Sequence, residues 1–145
     1  MKKRVVVSGL IFVGLATLIQ LVPVDRTNPP VTADLAAPAA VTAVLRASCY
    51  DCHSNETRWP WYSRVAPASW LVAHDVEEAR SHFNFSLWGT YEPKRQERVA
   101  AKMWEEVEAG EMPPAGYLLA HRDARLSEGD RAVLEAWTAE ASGER

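Results

Sequence analysis

The chain has 145 residues, of which 48% are hydrophobic and 24% charged, with 9 Pro, 7 Gly and 2 Cys. That length allows one domain with an appendage. Two cysteines exclude a disulfide-stapled scaffold, six Trp, four Tyr and three Phe exclude a disordered chain, and a formal charge of −3 excludes a strongly basic nucleic-acid binder.

The first predicted element is apolar. Lys2, Lys3 and Arg4 precede residues 5–22, which carry no charge and hold only Ser8, Thr17 and Gln20 as polar members. As a helix at ~1.5 Å per residue this run spans ~27 Å, close to a hydrocarbon core. The cations before it favour a cytoplasmic N-terminus. The run is longer than a signal-peptide core and lacks a small-residue cleavage site before Pro23. Residues 1–24 are therefore expected to be an uncleaved signal-anchor crossing the bacterial inner membrane once, with the C-terminal domain in the periplasm. The alternative is a soluble periplasmic protein released by signal cleavage. Without the three cations the chain keeps 13 basic and 19 acidic residues, a charge of −6. Residues 25–37, with Asn28-Pro29-Pro30, read as a stiff extended linker holding the domain off the bilayer.

Residues 38–145 read as an all-α domain of about four helices, since the periodicity is helical and period-2 alternation is lacking. Helix one starts near Pro38 and aligns Val41, Val44 and Leu45. Helix two starts near Pro67 and aligns Val72, Val76, Ala79 and Phe83. Helix three runs from about Pro93 to Ala109, with Val99, Met103 and Val107 inward and Gly110 as its stop. Helix four is announced by Ser127, with Asp130 three residues on in a relative of the capping box, and carries Val133, Leu134 and Trp137. One modest core fits this length.

Cys49-Tyr50-Asp51-Cys52-His53 is a C-x-x-C-H sequence, the pattern of covalent haem c attachment. The two thiols add to the porphyrin vinyl groups, and the adjacent His reaches the iron. Other readings of the pair are a thioredoxin-like dithiol, which usually sits in a βαβ context missing here, a disulfide, and a zinc site, for which no second cysteine pair exists. Electron carriers usually give the iron a second axial ligand. The candidates are Met103, Met112, His74, His82 and His121. Met103 sits in an apolar stripe and suits the core. Met112 lies past a helix stop, in Gly110-Glu111-Met112-Pro113-Pro114, on a stiff loop suited to presenting its sulfur. His74 has Glu77 and Glu78 at i+3 and i+4, the spacing of a helix-surface pair. In Arg58-Trp59-Pro60-Trp61-Tyr62-Ser63-Arg64, the rings of Trp59, Trp61 and Tyr62 suit the macrocycle and its propionates, and either arginine suits a propionate.

The chain resembles the small haem-binding-domain cytochrome c proteins of bacteria over residues 24–137. The resemblance rests on Val24-Asp25-Arg26-Thr27-Asn28-Pro29-Pro30, on Cys49-Tyr50-Asp51-Cys52-His53-Ser54-Asn55-Glu56-Thr57, on Trp59-Pro60-Trp61-Tyr62-Ser63, on Asn84-Phe85-Ser86-x-Trp88 and on Gly110-Glu111-Met112-Pro113. It implies a periplasmic cytochrome c-like domain with one haem. Cys49 and Cys52 would be its attachment points, His53 the proximal iron ligand and Met112 the sixth. The expected role is single-electron transfer rather than enzymic catalysis, between redox partners whose basic patches complement the acidic domain. The alternative is a haem enzyme or a gas or redox sensor with an open or displaceable sixth position.

Overall fold

Helical periodicity becomes seven α-helices in the computed structural model, which describes residues 2–143. They are α1 (Lys2–Ile19), α2 (Ala39–Ser48), α3 (Tyr50–His53), α4 (Ala68–His82), α5 (Pro93–Glu108), α6 (Ala115–Ala120) and α7 (Glu128–Ala141). Short 3₁₀ turns cover Trp61–Arg64, Phe85–Thr90 and Arg122–Ala124. No strand occurs among the described residues, so the all-α class holds. Residue 1 and residues 144–145, the outer ends of the expected 1–24 and 38–145 segments, lie outside the described residues.

The four expected helices of the domain are α2, α4, α5 and α7. The apolar stripe of α2 buries Val41, Val44 and Leu45 in a core with Leu35, Tyr50, Phe85, Trp88, Met103 and Leu134. In α4 only Val76 of the expected apolar row is fully buried, while Val72, Ala79 and Phe83 are half-buried. Helices α5 and α7 pack against each other, and Arg131 on α7 donates to the Val107 carbonyl near the end of α5. That satisfies one of the carbonyls a helix end leaves open. Gly110 then takes φ +78°, a conformation that costs a side chain with a Cβ energy and so stops α5. The turn lets the N–H groups of Glu111 and Met112 both donate to the Glu106 carbonyl, at 3.0 and 3.1 Å. Ser127 and Asp130 form a full capping box at the start of α7.

Two expectations need correction. The membrane-crossing helix over residues 1–24 is not found. Helix α1 begins at Lys2, so its first turn holds three cations, and it ends at Ile19. Its apolar part is residues 5–19, about 22 Å at ~1.5 Å per residue, against a core of ~30 Å. Among the described residues no helix is long and apolar enough to cross a membrane.

Residues 25–37 are extended but do not stand off the domain. The N–H groups of Thr32 and Ala33 both donate to the Ser86 carbonyl, at 3.2 and 3.1 Å, and that of Leu35 to the Phe85 carbonyl at 3.0 Å. Leu35 enters the core. In return the Gly89 N–H donates to the Ala33 carbonyl at 2.9 Å. The approach is close, because a Cβ on Gly89 would come within 3.1 Å of the Ala33 Cβ. The segment is a strap, held by the backbone of the 3₁₀ turn at Phe85–Thr90.

Candidate haem site

Cys49 closes α2 and opens α3, where it accepts two backbone bonds on one carbonyl, from Cys52 N–H at 3.2 Å and His53 N–H at 2.9 Å. Cys49, Cys52 and His53 thus share a single turn. Both cysteines are free and half-buried. Burial pushes the Cys49 thiol up to about 12, reinforced by Cys52. It pushes the Cys52 thiol up to about 11, reinforced by Asp51 and Asp75. A thioredoxin-like thiol needs the opposite shift, towards thiolate. The His53 ring is buried and stacks on Phe83, with centroids 4.1 Å apart and planes at 7°. Burial holds its imidazole down at about 4, against the pull of backbone groups of Phe83 and Ala79. It is therefore neutral, the form in which imidazole binds a metal. Its Nδ1 is buried with no hydrogen-bond partner.

The segments quoted for the resemblance knit together behind this turn. Asn55 donates its side-chain N–H to the Pro30 carbonyl at 2.9 Å and its backbone N–H to Ser86 Oγ at 3.0 Å. Asn84 Nδ2 donates to Asn55 Oδ1 at 2.7 Å, and Asn84 Oδ1 accepts from the Ser86 N–H at 2.9 Å. Arg80 on α4 donates to the Ser54 and Thr27 carbonyls, to Asn28 Oδ1 and to Thr57 Oγ1. The strap, the turn at residues 49–53, α4 and the 3₁₀ turn at Phe85–Thr90 are thus one hydrogen-bonded body. These buried amides and hydroxyls need partners, and here they find them in one another.

The remaining candidates lie elsewhere. Trp59 donates its indole N–H to Asn28 Oδ1 at 3.2 Å. Trp61 is 77% exposed and meets Tyr62 edge-on. Met112 is 38% exposed, and no bond or ring contact among the described residues joins it to His53. His74 is exposed and pairs with Glu78 at 3.5 Å, while Met103 is buried in the core. Arg58 is engaged by Asp51, not left free for a propionate.

Sequence reading missed a polar group in front of the turn. Asp51, between the two cysteines, accepts from Arg58 through its backbone N–H, Nε and Nη2 and from the Tyr117 hydroxyl at 3.1 Å. Burial works against the Asp51 charge, but Arg58 and Tyr117 outweigh it and hold the carboxyl below its usual range. Tyr117 stacks on His121 with centroids 4.3 Å apart, and His121 Nε2 lies 2.7 Å from the Tyr62 hydroxyl. The signal was weak, because α6 is six residues long, too short for periodicity to reveal.

Two free thiols and a neutral, buried histidine on one turn fit a covalently held haem. A buried polar atom without a partner, as at His53 Nδ1, calls for an explanation such as an ion or other group from outside the chain. Apolar surface is also available for a macrocycle. Exposed large apolar side chains include Trp61, Val65, Trp70, Leu71, Met112 and Leu119. They lie on the turn at Trp61–Arg64 and its flank, on the start of α4, and on the loop and helix tied to Asp51. Two cavities, of about 500 and 240 Å³, lie elsewhere, between α2 and α7 and beside Arg80. A bare-metal site is a poorer fit, since among the described residues no group of three or more His, Cys, Asp or Glu side chains is placed to hold an ion.

Fold and site together define an all-α haem-binding domain. The family model described as haem-binding domain matches residues 14–140, and the chain belongs to that family. Among curated proteins and solved structures, none matches the chain.

Proposed function

We propose that the protein is a monohaem c-type cytochrome that carries single electrons on the exported side of a bacterial membrane. The observation that carries this reading is the single turn that holds two free thiols and a neutral, buried His53. Cys49 and Cys52 would hold the porphyrin through thioether bonds, and His53 would be the fifth iron ligand. Met112 would be the sixth, with Trp59, Trp61 and Tyr62 along the ring. When bound, haem supplies one-electron iron chemistry. The chain's part is to hold His53 neutral, to orient its ring through Phe83 and to screen that side from water. Export rests on Lys2, Lys3 and Arg4 before an apolar α1 that buries no residue. The charge of −6 beyond those cations favours redox partners with basic patches.

The test is mass spectrometry of protein made alongside a cytochrome maturation system. One covalently bound haem is expected, and a chain without it overturns the reading. Replacing Met112 with Ala is expected to abolish the sulfur-to-iron charge-transfer band of the ferric protein.

A second reading, a haem enzyme or sensor with a displaceable sixth position, is favoured by the exposure of Met112. Ferrous spectra with and without carbon monoxide separate the two. Slow or absent binding fits the carrier. Immediate binding, with no sulfur band in the wild type, fits the sensor or enzyme.

A further inference from the structure

Met112 sits on a segment pinned at both ends. Upstream, the N–H groups of Glu111 and Met112 are fixed to the Glu106 carbonyl of α5. Downstream, Pro113 and Pro114 lead directly into α6, and fixed proline φ angles make that connection stiff. Helix α6 and the residue after it carry Tyr117 and His121. Tyr117 donates to Asp51 Oδ2 at 3.1 Å, and His121 pairs with the Tyr62 hydroxyl at 2.7 Å. The two rings stack, so the downstream pins act as one. Asp51 lies between Cys49 and Cys52, on the turn that carries His53, and Arg58 donates to both of its carboxylate oxygens.

We propose that Tyr117 and His121 are positioning residues for the sixth iron position, forming a latch that fixes the Met112 segment against the turn bearing His53. The inference rests on the haem reading above and extends it. Neither residue touches iron. Each acts by limiting where the Met112 sulfur can go, because losing Tyr117 or His121 removes a side-chain bond that holds the downstream end of its segment. A displaceable ligand on a freed segment competes less well with an added one, since the segment then loses more conformational freedom on binding.

The experiment uses purified holoprotein and two conservative variants. Tyr117→Phe keeps the ring stack and removes the hydroxyl, and His121→Phe keeps the stack and removes the bond to Tyr62. Three quantities are measured: covalent haem by mass, imidazole affinity of the ferric form, and hydrogen exchange across residues 110–121. The expected result is unchanged haem content, imidazole affinity raised roughly tenfold, as one charge-assisted hydrogen bond is worth, and faster exchange confined to residues 110–121. A general loss of packing would instead speed exchange in α2 and α7 as well, and overturns the positioning role. Unchanged affinity and unchanged exchange in both variants also overturn it. Wild-type protein that takes up carbon monoxide at once defeats Met112 as the ligand. Exchange then decides the latch alone: faster exchange confined to 110–121 supports it, and unchanged exchange overturns it. Should Tyr117→Phe fail to accumulate, His121→Phe decides by the same criteria.

Discussion

Behind His53, the strap, α4 and the Phe85–Thr90 turn bond to the residues that follow the turn at 49–53 through buried and half-buried amides, hydroxyls and one guanidinium. In front of it, the segment with Met112 and α6 is held by two side-chain bonds, one from Tyr117 to Asp51 of the same turn and one between His121 and Tyr62 of the Trp61–Arg64 turn. The rear wall is buried and paired. A buried oxygen of Glu56 faces Arg46 at 3.1 Å, leaving His53 Nδ1 as the one buried side-chain nitrogen or oxygen without a partner among the described residues. The front presents apolar surface to solvent, with Leu119 83% exposed. The difference separates two jobs. A paired, close-packed wall holds His53 in one orientation, whereas a segment on two pins can move without unfolding the domain. Low local stability of that kind is where ligand exchange is found.

Phe85→Ala gives the largest expected effect. Phe85 is fully buried, stacks on Tyr50 at 4.8 Å and meets Phe83, the ring beneath His53, at 5.1 Å. Its removal is expected to cost about 3–5 kcal/mol of unfolding free energy, read by denaturant titration. A small loss would mean that the rear wall is no more rigid than the front. Asn84→Ala comes next. It deprives Asn55 Oδ1 and the Ser86 N–H of partners, and unpaired buried atoms of this kind cost about 2 kcal/mol. The same titration checks it, and hydrogen exchange at residues 30–35 should rise with it, because the strap hangs on Ser86 and Asn55.

The parts that sequence revealed are those where the signal is local. Val41, Val44 and Leu45 mark α2 by spacing alone, and Gly110 and Ser127 mark helix ends by their own backbone chemistry. The C-x-x-C-H motif is contiguous, so its shared turn follows from the order of residues. The strap escaped because its backbone bonds to Phe85, Ser86 and Gly89 join residues fifty or more positions apart, and Asn28-Pro29-Pro30 has the composition of a linker whether or not it docks. The apolar run over residues 5–22 overstated the first helix, since composition does not say that the backbone leaves helical geometry after Ile19. Asp51 is one of the two intervening residues of the motif and carries no signal of its own. Its role depends on Arg58 and on Tyr117, which is 66 residues away, and no pattern within the motif encodes that partner.

The smallest expected effect tests whether front and rear are distinct at all. Ser127 caps α7, away from both walls, accepting from the Asp130 N–H at 3.1 Å while Asp130 accepts from the Ser127 N–H at 2.9 Å. The Ser127 hydroxyl and N–H together hold the Asp130 carboxyl below its usual range. A carboxyl lowered in the folded state adds stability that is full above the unfolded value, ~3.9, and is lost as pH falls through the lower folded value. Ser127→Ala is therefore expected to cost about 1 kcal/mol near neutral pH. The gap from wild type should narrow only below about pH 4, as Asp130 takes up its proton in both proteins. Denaturant titrations at pH 7 and at pH 3 check the sign. Imidazole affinity should not change in this variant, because a frayed first turn of α7 leaves both pins on α6 intact. A shift as large as that expected for Tyr117→Phe would mean that the sixth position reports on the whole domain, and the division between a fixed rear wall and a latched front would fail.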